Sequence, residues 1–129
     1  MSEKFTVEII SPDRTVIKTS TSEVRIPSYE GEMGILKDHI PLITFLRPGI
    51  IRISDNQIRE FFVEDGTVEF SNNNLLILTS TAEDLSNLNK SLLENLINET
   101  EKKITNENIT DKEKYLLSYK IDTLKNINL

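Results

Sequence analysis

The spacing of apolar residues changes once along this chain, close to residue 79, and that change limits what it can fold into. Before it, Phe5, Val7 and Ile9 alternate with polar residues, the period of a half-buried strand. After it, Leu88, Leu92, Leu96 and Ile104 recur at helical spacing, with Leu93 and Ile97 widening the stripe. Side chains alternate across a strand but return to one face of a helix about every 3.6 residues. A β unit therefore precedes a helical one.

Within the β part, Val16 opens a second segment, and Val24 and Ile26 mark a third. Further apolar segments lie at 35–36, 41–46, 50–53, 58–63, 68–70 and 75–78. Ser11-Pro12-Asp13, Pro48-Gly49, Asp55-Asn56, Asp65-Gly66 and Asn72-Asn73-Asn74 punctuate them with residue types that favour turns. Short strands separated this way predict an antiparallel β-sandwich or barrel. Some segments are apolar on both faces, as expected at a sandwich corner or under a partner.

The string Thr79-Ser80-Thr81-Ala82-Glu83-Asp84 closes the β part, and Thr105-Asn106-Glu107-Asn108 breaks the first helix. A capping box then starts the second at Thr110-Asp111-Lys112-Glu113: the Thr hydroxyl accepts from the backbone three residues on and Glu113 reaches back. Leu117, Ile121 and Leu124 form its apolar face, with Lys114, Lys120 and Lys125 outside it. Helices this short are marginal alone in water, so each must bury its face on the other or on the sandwich. The fold class is α+β, mainly β: an N-terminal sandwich or barrel over 1–84 and an antiparallel two-helix hairpin over 85–129.

Composition excludes several functions. The chain has 129 residues, no cysteine and a net charge of −6, so disulfides and thiolate metal sites are ruled out and no basic footprint for nucleic acid is present. No apolar stretch approaches the ~20 residues that span a bilayer, and the start of the chain lacks a signal-peptide pattern, so a membrane is reached only through a partner. The single histidine, His39, sits in the turn-like Lys37-Asp38-His39-Ile40-Pro41 with no nucleophile motif. One histidine leaves zinc without its usual ligand set, and the four glycines form no phosphate-cradling loop. Acid pairs such as Glu30 and Glu32 read as solvated turn residues. The chain reads as a binding component, and neither a catalytic nor a metal site is expected.

Residues 27–53, PSYEGEMGILKDHIPLITFLRPGIIRI, are the most specific stretch. Gly31-Glu32-Met33-Gly34, His39-Ile40-Pro41-Leu42-Ile43-Thr44 and Pro48-Gly49-Ile50-Ile51-Arg52-Ile53 closely resemble the signature of the F-type ATP synthase epsilon chain family: G-E-x-G, P-x-H-x-P-L-x-T and P-G-x-x-R-I. Residues 5–12, FTVEIISP, are similar to that family's first strand and turn, and 61–63, Gly66, 68–69 and 75–78 to its later hairpins. The resemblance is strong to about residue 80 and holds in pattern beyond it. Lys37 departs from it, standing where the family usually has Pro, which loosens the turn before His39.

The resemblance implies a non-catalytic rotor subunit in the central stalk of a proton-translocating ATP synthase. It implies a peripheral position on the cytoplasmic side of the cell inner (plasma) membrane. Its sandwich would dock on the gamma subunit and on the polar loops of the c-ring. The implied partner-binding residues are Gly31, Glu32, Met33, Gly34, His39 and Pro41, with Glu32 against the c-ring loops and Met33 and His39 in or near that same surface. The hairpin of such proteins lies compact or extends toward the alpha and beta subunits and inhibits ATP hydrolysis. Lys112, Lys114, Lys120 and Lys125 would then meet acidic loops of beta. Some relatives bind ATP there through a motif like I/L-D-x-x-R-A. Here the stretch is Leu85-Ser86-Asn87-Leu88-Asn89-Lys90, without the Asp or the Arg, so weak or no ATP binding is expected and no cofactor is implied. Two other readings stay open: a chiefly nucleotide-sensing inhibitory regulator of the same complex, and an unrelated β-sandwich adaptor.

Overall fold

The computed structural model describes residues 3–129. Ten strands are followed by a helical hairpin. They are β1 (Phe5–Ser11), β2 (Arg14–Thr21), β3 (Glu23–Ser28), β4 (Gly31–Leu36), β5 (Leu42–Leu46), β6 (Gly49–Ser54), β7 (Ile58–Val63), β8 (Gly66–Ser71), β9 (Asn74–Leu78) and β10 (Ala82–Asp84). A 3-10 turn (Leu85–Asn87) leads to α1 (Lys90–Ile104) and α2 (Asp111–Lys125).

The strands form two layers. One runs β10-β7-β6-β3 with β4 also on β3, and the other runs β5-β8-β9-β1-β2. The layers join at a corner where Ser28 of β3 pairs with Leu46 of β5. The pairing is antiparallel as the turns require, with one departure: β1 runs parallel to β9, Val7 opposite Leu75 and Ile9 opposite Ile77. Both strands put alternate residues inside, so the parallel pair closes the sandwich without disturbing the core.

That core is the alternation read from the sequence. Phe5, Val7 and Ile9 meet Val24, Ile26, Ile51, Phe61, Val68, Phe70 and Ile77 between the layers. Register is pinned by turns. The β8–β9 hairpin has Asn72 and Asn73 at its tip with φ of 50° and 59°. That double positive φ is what a type I′ turn needs, and Asn tolerates it better than most residues.

The segments apolar on both faces resolve into strands beneath the hairpin. In β7, Phe61 points into the main core and Phe62 to the other side. Phe62, together with Ile50 of β6, lies under Leu93, Leu96, Ile97, Leu124 and Ile127 in a separate small cluster. The hairpin thus rests on one outer face of the sandwich.

Thr110 and Glu113 form the capping box, with the Glu113 N–H donating to Thr110 Oγ1 at 3.1 Å and the Thr110 N–H to Glu113 Oε1 at 3.3 Å. The apolar stripe of α1 packs through Leu93, Leu96 and Ile97 of the expected set, but not through Leu88 or Leu92. Leu88 precedes the helix, Leu92 is 48% exposed, and Leu93 and Thr100 are the buried positions. Asn89 starts the helix by accepting from the Leu92 N–H at 2.8 Å. That later start moves Leu88 off the helix, and Leu93 rather than Leu92 packs against Phe62. In α2 the correction concerns Lys120, which is buried rather than outside the packed face.

Candidate docking surfaces

Strand β5 is apolar on both faces, with Leu42 and Leu46 toward the core. Thr44 and Leu46 point inward and are buried, whereas Ile43 and Phe45 point outward at 76% and 57% exposure. A one-residue slip would bury both but turn Leu42 and Leu46 out, and the pairing of Leu42 with Phe70 and Leu46 with Gly66 fixes the register. Across the same outer face, Phe45 stands opposite Thr67, and Thr67 opposite Leu78, itself exposed. Tyr29 joins the strip from the β3–β4 turn, its N–H donating to the Phe45 carbonyl at 3.2 Å. The result is a group of exposed apolar side chains on the outer face of the β5-β8-β9 layer, interrupted by Thr67 and by Glu69, which stands opposite Ile43. A cluster of exposed apolar side chains on a small protein marks a docking site more often than isolated ones do. The sequence alone showed 41–46 as one apolar segment; the buried Thr44 is what reveals which residues face out.

The β3–β4 hairpin carries the acidic turn. Gly31 has φ of 121°, a conformation that residues with a side chain avoid. It lets the chain reverse at Tyr29-Glu30. Glu32 then stands exposed on the outer face of β4, its carboxylate accepting from Arg25 Nε. Gly34 lies opposite Arg25 in the ladder, and a Cβ there would come 3.3 Å from the guanidinium. The missing side chain gives Arg25 room to lie over β4 toward Glu32. That hydrogen bond, followed by the Glu32 charge, raises the Arg25 pKa above its ordinary value.

The residues named from the sequence do not gather on one surface. Met33 turns inward and packs against the main core. His39 and the exposed Pro41 lie beyond the far end of β4, which at ~3.4 Å per residue separates Gly31 from Leu36 by roughly 17 Å. There His39 packs edge-on against Phe70 with ring centroids 5.9 Å apart. The antiparallel hairpin is the cause: its turn lies at one end of the sandwich and the β4–β5 loop leaves from the other. Glu32 and His39 therefore belong to opposite ends.

The four lysines also separate. Lys112, Lys114 and Lys125 are exposed. Lys112 edges a hollow shared with Tyr29, Phe45 and Asp65, and Lys125 approaches Glu101 of α1 at 3.5 Å. Lys120 reaches Glu64 at the end of β7, at 2.7 Å. Beside it, the Arg47 guanidinium carbon lies 4.0 Å from the centroid of the Tyr119 ring, and the Thr123 hydroxyl donates to the Pro48 carbonyl. Arg47 and Tyr119 were not anticipated, because a contact between a strand end and a helix far along the chain leaves no local pattern. These residues border a cleft of about 410 Å³ between α2 and the sandwich, reaching Glu32, Arg52 and Glu60.

Among the described residues, no three His, Cys, Asp or Glu side chains are grouped to hold a metal ion, and no helix is long and apolar enough to cross a membrane. The described surfaces suit protein contact.

A family model described as ATP synthase, Delta/Epsilon chain, beta-sandwich domain matches residues 4–85. The chain is 47% identical over 130 aligned positions, covering 99% of it and all of the relative, to the ATP synthase epsilon chain of Pelagibacter ubique. It is 37% identical to the chloroplastic ATP synthase epsilon chain of Gracilaria tenuistipitata, over 84% of this chain and 81% of that one. A chain in the cryo-EM structure of the Euglena gracilis mitochondrial ATP synthase, OSCP/F1/c-ring, superposes with a TM-score of 0.75 at 17% identity, covering 95% of this chain and 78% of that one. A chain in the Tetrahymena thermophila mitochondrial ATP synthase central stalk and c-ring structure gives 0.69 at 16% identity, with 96% of each chain covered. At such identities the structural likeness speaks for the fold.

Proposed function

Because this chain belongs to the ATP synthase epsilon chain family, whose members are non-catalytic subunits, we propose that it works in the rotor by being gripped on two sides. The gamma subunit docks on the outer strip of Ile43, Phe45, Tyr29 and Leu78. The turn carrying Glu30, Gly31 and Glu32 faces the polar loops of the c-ring. The observation that carries this reading is the outward pair Ile43 and Phe45, exposed on a strand whose inner face is already filled by Leu42, Thr44 and Leu46. Torque has to pass without slip, and a broad apolar contact resists shear better than exposed ion pairs, each of which contributes only ~0–1 kcal/mol. Through those partners the chain sits peripherally on the cytoplasmic side of the membrane that holds the c-ring.

The hairpin has a second role in this reading, restraint of ATP hydrolysis by leaving the sandwich and reaching the alpha and beta subunits. Its small apolar seat on Phe62 and Ile50 supports two arrangements within a few kcal/mol of each other. In the extended form Lys112, Lys114 and Lys125 would be available to acidic loops of beta, and Lys120 would join them once released from Glu64. We assign the 85–90 stretch no nucleotide. Ser86 donates to Asp84 and Asn89 caps α1, and the stretch lacks the planar cationic fork suited to phosphate.

Reconstitution tests the reading. ATP synthase depleted of this subunit should couple proton flow to ATP synthesis poorly and regain coupling when the chain is returned. A depleted complex that couples as well as the intact one would contradict it.

A further inference from the structure

The loop joining β4 to β5, residues 37–41, is tied down more firmly than its exposure requires. The Asp38 N–H donates to Asn73 Oδ1 at 2.7 Å, and the Asn73 Nδ2–H donates to Asp38 Oδ1 at 2.9 Å. The two residues are 35 positions apart and both have positive φ, 65° and 59°. For Asn73 that angle belongs to the β8–β9 turn, and Asp and Asn are the residues with a side chain that adopt it most readily. Asn73 is itself seated on β1, its carbonyl accepting from the Thr6 N–H at 3.0 Å. On the other side of Asp38, the His39 N–H closes a turn on the Leu36 carbonyl at 3.1 Å, and the His39 ring packs on Phe70. The turn therefore survives with Lys37 in place of a proline.

None of these bonds encloses core, and Asp38 is exposed. What they hold still is Ile40, at 74% exposure, just ahead of Ile43 at 76%. A protruding isoleucine on a free loop would have to be ordered when a partner bound, at an entropic cost to affinity. Here the ordering precedes binding.

We propose that Asp38 and Asn73 are positioning residues for the gamma-facing surface, their reciprocal pair fixing the 37–41 loop so that Ile40 extends the apolar strip of Ile43 and Phe45. The proposal rests on the gamma reading given above. Asp38 and Asn73 act through the loop, and the partner they serve is an apolar protein surface.

The test uses the full chain and purified gamma subunit, with hydrogen exchange of the free chain alongside the binding titration. Asn73→Gly keeps a positive φ without steric strain and removes both bonds. It should speed exchange at the 37–41 amides by about tenfold or more. It should also raise the apparent Kd for gamma about tenfold, as follows when the binding-competent loop falls to ~10% of the population. The thermal midpoint should stay close to that of the wild type. Asp38→Gly, which removes only the side-chain bond, should show a smaller change in the same direction. Unchanged exchange, or faster exchange with an unchanged Kd, would overturn the proposal while leaving the gamma reading intact. A wild-type chain that does not bind gamma at all would overturn both.

Discussion

Lys120 Nζ lies 2.7 Å from Glu64 Oε1, and the lysine side chain is only 9% exposed although it sits on an amphipathic helix. This pair joins α2 to the end of β7, so the charge that looked solvent-facing on a helical wheel belongs to the seat of the hairpin. Burial of an ammonium is tolerated because a carboxylate meets it, and removing that carboxylate alone leaves an uncompensated charge.

Glu64→Gln should therefore loosen the hairpin more than Lys120→Met, which removes the charge and keeps an apolar stem of similar length. Glu64 is 39% exposed, so screening reduces the effect to about 1 kcal/mol. Hydrogen exchange across α2 in the two variants checks this. Equal protection in both would mean that the ion pair does not hold the helix.

Adjacent phenylalanines should behave differently. Phe61→Ala opens the main core and should cost about 3–5 kcal/mol of global stability. Phe62→Ala empties only the seat beneath Leu93 and Leu124, so α1 and α2 should lose protection while the strands keep theirs. Limited proteolysis resolves the two outcomes: Phe62→Ala should release the helices and leave a resistant fragment ending near residue 85. Matching loss of all protection in both variants would contradict two separate clusters.

Asp84 gives a pH dependence. Burial acts to raise its pKa, but hydrogen bonds from Ser86 and Arg59, with the Arg59 charge, outweigh it and hold the carboxyl below its ordinary value. A depressed folded-state value contributes stability above the unfolded-state pKa. That contribution is lost as pH falls through the folded one. Urea unfolding should show the wild type losing more stability between pH 5 and pH 2, values chosen to bracket the ordinary Asp pKa of ~3.9, than Asp84→Asn does. An equal or steeper loss in the variant would rule out this role.

Calorimetry of the isolated chain with Mg-ATP should give no saturable heat at micromolar concentrations, since Asn89 is engaged at the start of α1 and Ser86 at Asp84. A micromolar dissociation constant would refute the assignment of an empty 85–90 stretch.

Much of this was legible in the residues. Alternation in 5–9 placed Phe5, Val7 and Ile9 inside, and the Thr110–Glu113 box placed the start of α2, because both are local patterns with one physical solution. The parallel pairing of β1 with β9 was not, since strand direction is set by which distant segments meet. The α1 stripe holds at Leu93, Leu96 and Ile97 but not at Leu92, since Leu92 and Leu93 both fit the spacing and only contact with Phe62 decides between them. Lys120 was read as solvent-facing because its partner, Glu64, lies across the fold. The proposed docking residues were partly hidden for the same reason. Glu32 and His39 share one short motif but emerge at opposite ends of a hairpin, and Ile43 and Phe45 become an exposed strip only once Thr44 is seen to face inward.

The central claim is that an apolar strip on β5 grips gamma. It is tested most directly by co-purification of gamma with the tagged full chain, comparing wild type, the double variant Ile43→Ser/Phe45→Ser, and Ile58→Ser as an exposed apolar control elsewhere on the sandwich. Wild type and Ile58→Ser should recover gamma, and the folded double variant should not. Recovery of gamma by the double variant at the wild-type yield would contradict the account.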